Sequence, residues 1–233
     1  MVKQTIEIDY YSDILCVWAY VAQIRVDEIK KEFGDQVHFN YRFFSLFGDT
    51  QTRIGQGWSE KGGFSGFYKH VAKVCEGHQH LSLNPSLWSE TCRPLSSAPA
   101  HLMIQTVDIL LQQDSSLEEK NNSDRSILEQ YICEVRRAFF EQGLNIGEQK
   151  ILFDIASKLG LNTNDMQSIL DSGQALAKHS QQNEDRYTKK LEGSPTFVLD
   201  QGRQKLYGNV GYRVIEANIQ ELFNRKELNM SWC

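Results

Sequence analysis

The sequence predicts a mixed α/β fold whose sheet-forming halves lie toward the two ends of the chain, with an all-helical block between them. Three observations carry this. Residues from Thr5 to Phe44 read as strand, helix, strand; those from Gly66 to about Leu191 carry apolar residues at helical spacing; and those after Thr196 return to a β-hairpin and a last helix. At 233 residues with 40% hydrophobic content, the chain is long enough to bury a core as one domain of ordinary size or as a domain carrying an insertion.

Thr5 to Tyr11 alternates Ile6, Ile8 and Tyr10 with Glu7 and Asp9, the period of a strand with one buried face. From Cys16 to about Phe33, Tyr20, Ile24, Val26, Ile29 and Phe33 recur at helical spacing, and Gly34-Asp35 stops the helix. Val37 to Phe44 is the second strand, which completes a βαβ unit if the two strands are parallel. Ser45 to Phe64 is Gly-rich and polar and reads as a long loop. The helical block follows, with breaks at Asn84-Pro85, Arg93-Pro94, Gly143, Gly160 and Gly173, and with an exposed polar loop from Gln113 to Asp124. Thr196 to Leu199 and Lys205 to Tyr207, joined by Asp200-Gln201-Gly202, read as a hairpin. Val214, Ile215, Ile219 and Leu222 mark the closing helix.

Composition narrows the function classes. A net charge of -5 with no basic stripe argues against a nucleic-acid surface, and Lys189-Lys190 and Arg136-Arg137 read as solvated helix faces. No apolar run approaches the roughly 20 residues of a membrane span. A strand beginning at about Thr5 leaves no room for a signal peptide, so five cysteines (Cys16, Cys75, Cys92, Cys133 and Cys233) are expected as reduced thiols in the cytoplasm.

Cys16 is the chemical focus. It stands where a strand hands over to a helix start, and free N–H groups and the helix dipole there are expected to lower a thiol pKa. Three residues on, where a C-x-x-C dithiol has its second sulfur, stands Ala19. Without that sulfur the local disulfide cannot close, so a second thiol must come from elsewhere. Pro195, between a helix and a strand, has no N–H, which leaves the backbone of Ser194 open to pair with a bound peptide.

The order βαβ, helical block, ββα is thioredoxin-like, and three segments strengthen the likeness. Ile8 to Tyr20, with Ser12-Asp13-Ile14-Leu15-Cys16-Val17-Trp18-Ala19-Tyr20, resembles the strand, S-D-x-x-C-P-W-C-Y and first helix of the DsbA-like thioredoxin superfamily. It departs at Val17 for proline and at Ala19 for cysteine. Arg137 to Glu148 is similar to a helix end and glycine turn in that family's inserted domain, and Gly193-Ser194-Pro195-Thr196-Phe197-Val198 to its G-V-P-T-F-V cis-proline segment. Within the superfamily the chain resembles the cytoplasmic FrnE-like branch, near the kappa-class glutathione transferases and the 2-hydroxychromene-2-carboxylate isomerases.

The resemblance implies a thioredoxin-like domain formed by residues 1–60 and 190–233, with an inserted helical domain at 61–189. It implies Cys16 as nucleophile, facing a cis Ser194-Pro195 loop across a shallow thiol-recognition groove, with Trp18 as an aromatic wall or a packing residue. In kappa-class transferases the turn corresponding to Gly208-Asn209-Val210-Gly211 holds the γ-glutamyl end of glutathione. Asn209 is the candidate contact here, a helix cap being the alternative.

Three functions follow. The first is a thiol-disulfide oxidoreductase acting by a monothiol route, with glutathione as co-substrate and no tightly bound cofactor. The second is a glutathione-dependent transferase or isomerase, and the third a silent binder of a thiol or thiol/disulfide peptide. Partners are expected to be small thiols or such peptides and, since relatives often pair, a second copy of the chain, with no nucleic acid and no membrane. His70, Cys75, His78 and His80 match no established zinc spacing, so no metal is expected. Cys75, Cys92 and Cys133 read as core thiols, one of them open to a remote resolving role, and Cys233 as a loosely held last residue.

Overall fold

The computed structural model describes residues 5–119 and 121–224, and Cys233 lies outside them. In chain order the elements begin with β1 (Ile6–Ser12), α1 (Val17–Phe33) and β2 (Val37–Phe43). The helices α2 (Gly63–Glu76), α3 (Ala98–Gln113), α4 (Ser116–Glu119), α5 (Ile127–Phe140), α6 (Gln149–Lys158), α7 (Thr163–Asp171) and α8 (Gln174–Thr188) follow. The chain then returns to β3 (Thr196–Leu199), β4 (Gln204–Tyr207) and α9 (Tyr212–Phe223). Among the described residues no helix is long and apolar enough to cross a membrane.

One four-stranded sheet, in the order β2-β1-β3-β4, organises the fold. β1 and β2 run parallel, with α1 as the crossover. The helix ends at Gly34, whose φ of 51° suits glycine and whose N–H closes on the Lys30 carbonyl. β3 runs antiparallel to β1 with Thr196 opposite Tyr11. That register brings the residues before β3 to the end of β1, and so sets Ser194 and Pro195 beside the turn that carries Cys16. β3 and β4 form the expected hairpin, turned by Asp200, Gln201 and Gly202, all at positive φ.

The sheet separates two apolar clusters. Ile6, Ile8 and Tyr10 of β1 point into a core shared with Val26 and Ile29 of α1, Ile104 and Val107 of α3, Tyr131 and Val135 of α5, and Ile219 of α9. The helices between β2 and β3 therefore bury their apolar faces in the same core as the sheet. Tyr11, Phe44, Leu191 and Val198 form the smaller cluster. It is closed by Arg186 stacked over Phe44 and by Asp185, which accepts from the Tyr11 hydroxyl at 2.8 Å.

Two stretches differ from the sequence reading. Ser45 to Phe64 is not a featureless loop, since it contains a π-helical turn at Gln51–Gln56 and a 3-10 turn at Ser59–Lys61, with Phe47 and Ile54 buried. Phe47 and Thr50 also clamp it to the start of α3. The Ser97 N–H donates to the Phe47 carbonyl at 3.0 Å, and the Thr50 hydroxyl to that of Pro94 at 2.8 Å. Residues 77–97, by contrast, form turns rather than helices. A further correction concerns Arg136, which does not share the solvated face of Arg137: it is 1% exposed, inside the core.

Glu129 links α5 to the sheet. Its carboxylate accepts from the Ser126 N–H at 2.9 Å while the Ser126 hydroxyl accepts from the Glu129 N–H at 3.2 Å, a capping box. Tyr41 of β2 and Lys30 of α1 also donate to it. Burial alone raises the Glu129 carboxyl, but Lys30 and Tyr41 outweigh it and hold the group below its ordinary range. Ser126→Ala removes one half of the box and should lower the unfolding free energy by about 1 kcal/mol in urea denaturation; an unchanged midpoint would contradict this role.

Candidate functional site

The site is built on the turn between β1 and α1. Asp13 is fully buried, and its carboxylate accepts from the Leu15 N–H at 2.9 Å, the Phe47 N–H at 2.9 Å and the Ser97 hydroxyl at 2.8 Å. Its own N–H donates to the Ser194 hydroxyl at 2.9 Å. One residue thus ties the turn, the strand exit after β2, the start of α3 and the loop before β3. Burial pushes the Asp13 carboxyl up to about 6 despite the donors from Phe47, Leu15 and Ser97.

A row of buried polar groups continues from it. His101 Nε2 accepts from the Ile14 N–H at 3.1 Å, which leaves the ring proton on Nδ1, facing the Ser45 hydroxyl at 3.4 Å. Ser45 Oγ lies 3.0 Å from His179 Nε2, to which the Asn183 amide also donates at 3.0 Å. Burial, with the charges of His179 and Arg136, holds His101 well below its ordinary range, and burial also lowers His179. Both rings are therefore neutral at pH 7.

Cys16 is the N-cap residue of α1, with φ -77° and ψ 116°. Its thiol is 4% exposed and donates to the Ser194 carbonyl at 3.2 Å, and the Ser194–Pro195 peptide bond is cis. Cys16, Ser194 and Pro195 thus come together. The expected lowering of the thiol pKa does not: burial is the largest influence and pushes Cys16 above its ordinary range. Ser194 and the N–H groups of Ala19 and Trp18 pull the other way, and the Asp13 charge adds to the rise.

The outer residues divide. Trp18 is half-buried and packs against the main core. Asn209 is exposed and accepts from Arg25 of α1 at 2.6 Å, while Gly211, with no side-chain bond, caps α9; the capping alternative for Asn209 does not hold. Tyr207 is a residue the sequence reading missed. Its ring covers Gly193, where a Cβ would stand 2.9 Å from the Tyr207 hydroxyl and would push the ring aside. The signal for it was the hairpin register, which sets Tyr207 opposite Thr196, next to Pro195. Cys16, Cys75, Cys92 and Cys133 are all free thiols. Among the described residues no three His, Cys, Asp or Glu side chains gather as a metal site.

Residues 122–220 match the family model of the DSBA-like thioredoxin domain. The architecture also superposes on solved structures over nearly its full length. Cytosolic disulfide reductase DsbM from Pseudomonas aeruginosa aligns with a TM-score of 0.67 at 18% identity, over 93% of this chain and 99% of that one. The chain has a DsbA-like thioredoxin fold. The same reductase solved with GSH gives a TM-score of 0.65 at 17% identity, covering 92% of this chain and 99% of that one. A 2-hydroxychromene-2-carboxylate isomerase gives 0.59 at 15% identity, over 93% of this chain and 96% of that one. No curated protein matches in sequence. On this DsbA-like frame, the position where a dithiol has its second cysteine carries the buried methyl group of Ala19.

Two outcomes follow. Asp13→Asn leaves at least one of the donors to Asp13 without an acceptor, and should lower the unfolding free energy at pH 7 by about 1–3 kcal/mol. Asp13 titrates near 6 when folded and about 3.9 when unfolded, so the proton-linked part of its contribution is complete below about pH 4 and is lost as pH rises through 6, while the hydrogen bonds it accepts persist at pH 7. His101 and His179, lowered on folding, contribute stability above about pH 6.5 that is lost as pH falls. The variant, freed of the opposing Asp13 term, should gain stability more steeply than wild type between pH 4.5 and 6.5 in urea denaturation; a shallower slope would contradict the assignment. Separately, iodoacetamide labelling of Cys16, followed by peptide mass spectrometry, should reach half its limiting rate above the free-cysteine value of about 8.5. A midpoint below it would contradict the dominance of burial.

Proposed function

We propose that this DsbA-like chain exchanges thiols and disulfides through Cys16 alone, with glutathione supplying the second sulfur. The observation that carries the reading is the Cys16 thiol set 3.2 Å from the carbonyl that precedes cis Pro195, with Ala19 at the dithiol position. The likeness to a cytosolic disulfide reductase, one structure of which contains GSH, supports glutathione and a cytoplasmic setting. This is the FrnE-like assignment expressed as chemistry.

The reaction balances without a further oxidant. Cys16 gives up its proton and the thiolate attacks the glutathione sulfur of a mixed disulfide, R–S–S–G. That S–S bond breaks, R–S⁻ leaves and takes up a proton, and Cys16 is left glutathionylated. A second glutathione thiolate then attacks the glutathionyl sulfur, which releases oxidised glutathione and restores Cys16. The N–H groups of Trp18 and Ala19 stabilise Cys16 whenever it is the thiolate. Because the resting thiol is buried and bonded to Ser194, an incoming substrate has to replace that bond with its own N–H, and turnover should rise with pH. Trp18 and Tyr207 flank this entry on our reading, with Asn209 and Arg25 as candidates to meet a carboxylate.

One observation favours a second reading. A thiol held protonated and donating a hydrogen bond does what a serine does, which suits orientation of a bound glutathione thiol for conjugation or isomerisation. Cys16→Ser separates the two. On the exchange reading it abolishes glutathione-dependent reduction of a peptide–glutathione mixed disulfide. Retained glutathione conjugation of an aryl halide in the serine variant would support the second, and glutathione binding by wild type without turnover of either substrate would overturn both.

A further inference from the structure

Among the described residues the buried Arg136 has no counterion. Its Nη1 donates to Gln23 at 2.8 Å and its Nη2 to Ser12 at 3.2 Å; the buried Tyr10 hydroxyl lies close to the guanidinium without a well-formed hydrogen bond to Nε, and no carboxylate lies within 4.0 Å among the described residues. A cation taken out of water in this way is costly unless something answers its charge. Neutral oxygens of Gln23, Ser12 and Tyr10 do so only in part.

Arg136 also lines a cleft of about 240 Å³ between α1 and α5, to which His80 and Leu81 contribute as well. The other charged groups on its wall are already matched. Arg125 pairs with Asp27 at 2.6 Å, and Arg137 with Glu141 at 3.4 Å, so the unmatched charge of the cleft is that of Arg136. The lining also has apolar surface: Leu81, the ring of Tyr20, and Ile24, which is 46% exposed. One buried free cation with an apolar wall is the arrangement that recognises an amphipathic anion.

We propose that this cleft binds a small carboxylate-bearing molecule, its carboxylate supplying the counterion of Arg136 and its short apolar body lying against Ile24 and Leu81. The volume sets the size. At about 30 Å³ per water-sized group it holds about eight such groups, so the ligand is the size of a short branched or small cyclic acid. The site uses no atom of Cys16, Ser194 or Pro195, and stands whether or not the thiol chemistry proposed above is correct.

The test is calorimetric titration with 4-methylpentanoate and, as the uncharged partner of the same length, 4-methylpentan-1-ol. Wild type should bind the acid, and the alcohol about tenfold more weakly or less. Arg136→Met should lose acid binding by about the same factor, and Ile24→Trp, which narrows the cleft and leaves Arg136 in place, should lose it as well. If Arg136→Met does not fold, Ile24→Trp and the acid–alcohol pair decide the matter. No acid binding by wild type, equal binding of acid and alcohol, or acid binding undiminished in Ile24→Trp would each overturn the proposal.

Discussion

A single buried carboxylate holds the site together. Asp13 follows the last residue of β1, and the groups bonded to it come from parts of the chain far apart in sequence: Leu15 beside it, Phe47 after β2, Ser97 at the start of α3 and Ser194 before β3. Burying it is unfavourable, as its raised pKa records, and the bonds it accepts are what make the burial tolerable. The sheet register delivers Ser194 to the right place, and Asp13 fastens it there.

The state of Cys16 follows from that fastening. A thiol at a helix start has favourable dipoles near it, but those dipoles act against the loss of water on all sides. Here burial wins, and the thiol spends its proton on the Ser194 carbonyl. The Cys16 thiol and the Ser194 carbonyl close on each other at rest. A buried thiol held in this way reacts more slowly with small reagents than a free one.

What the sequence reveals depends on distance. β1, α1, β2, the hairpin and α9 were legible because alternation, helical spacing and turn residues are local signals. Cys16 and Pro195 were legible as motifs, and the antiparallel β1–β3 pairing then sets them side by side. The thiol pKa was not legible, because burial of Cys16 depends on segments up to 178 residues away. Arg136 looked like a surface charge beside Arg137 for the same reason: nothing near it in sequence announces Gln23 or Ser12 as its partners. Asn209 found Arg25, 184 residues earlier, instead of the helix end beside it. In Ser45 to Phe64 the glycines outweighed Phe47 and Ile54, whose burial gives that segment its structure.

The central claim is that Asp13 fastens the turn, the strand exit and the loop before β3 as one unit. Native-state amide hydrogen exchange on wild type and Asp13→Asn tests it most directly. The account predicts that the amides of residues 13, 15 and 47 lose protection together in the variant, while those in the middle of α5 keep theirs. Unchanged protection at all three, or loss confined to one of them, would contradict it.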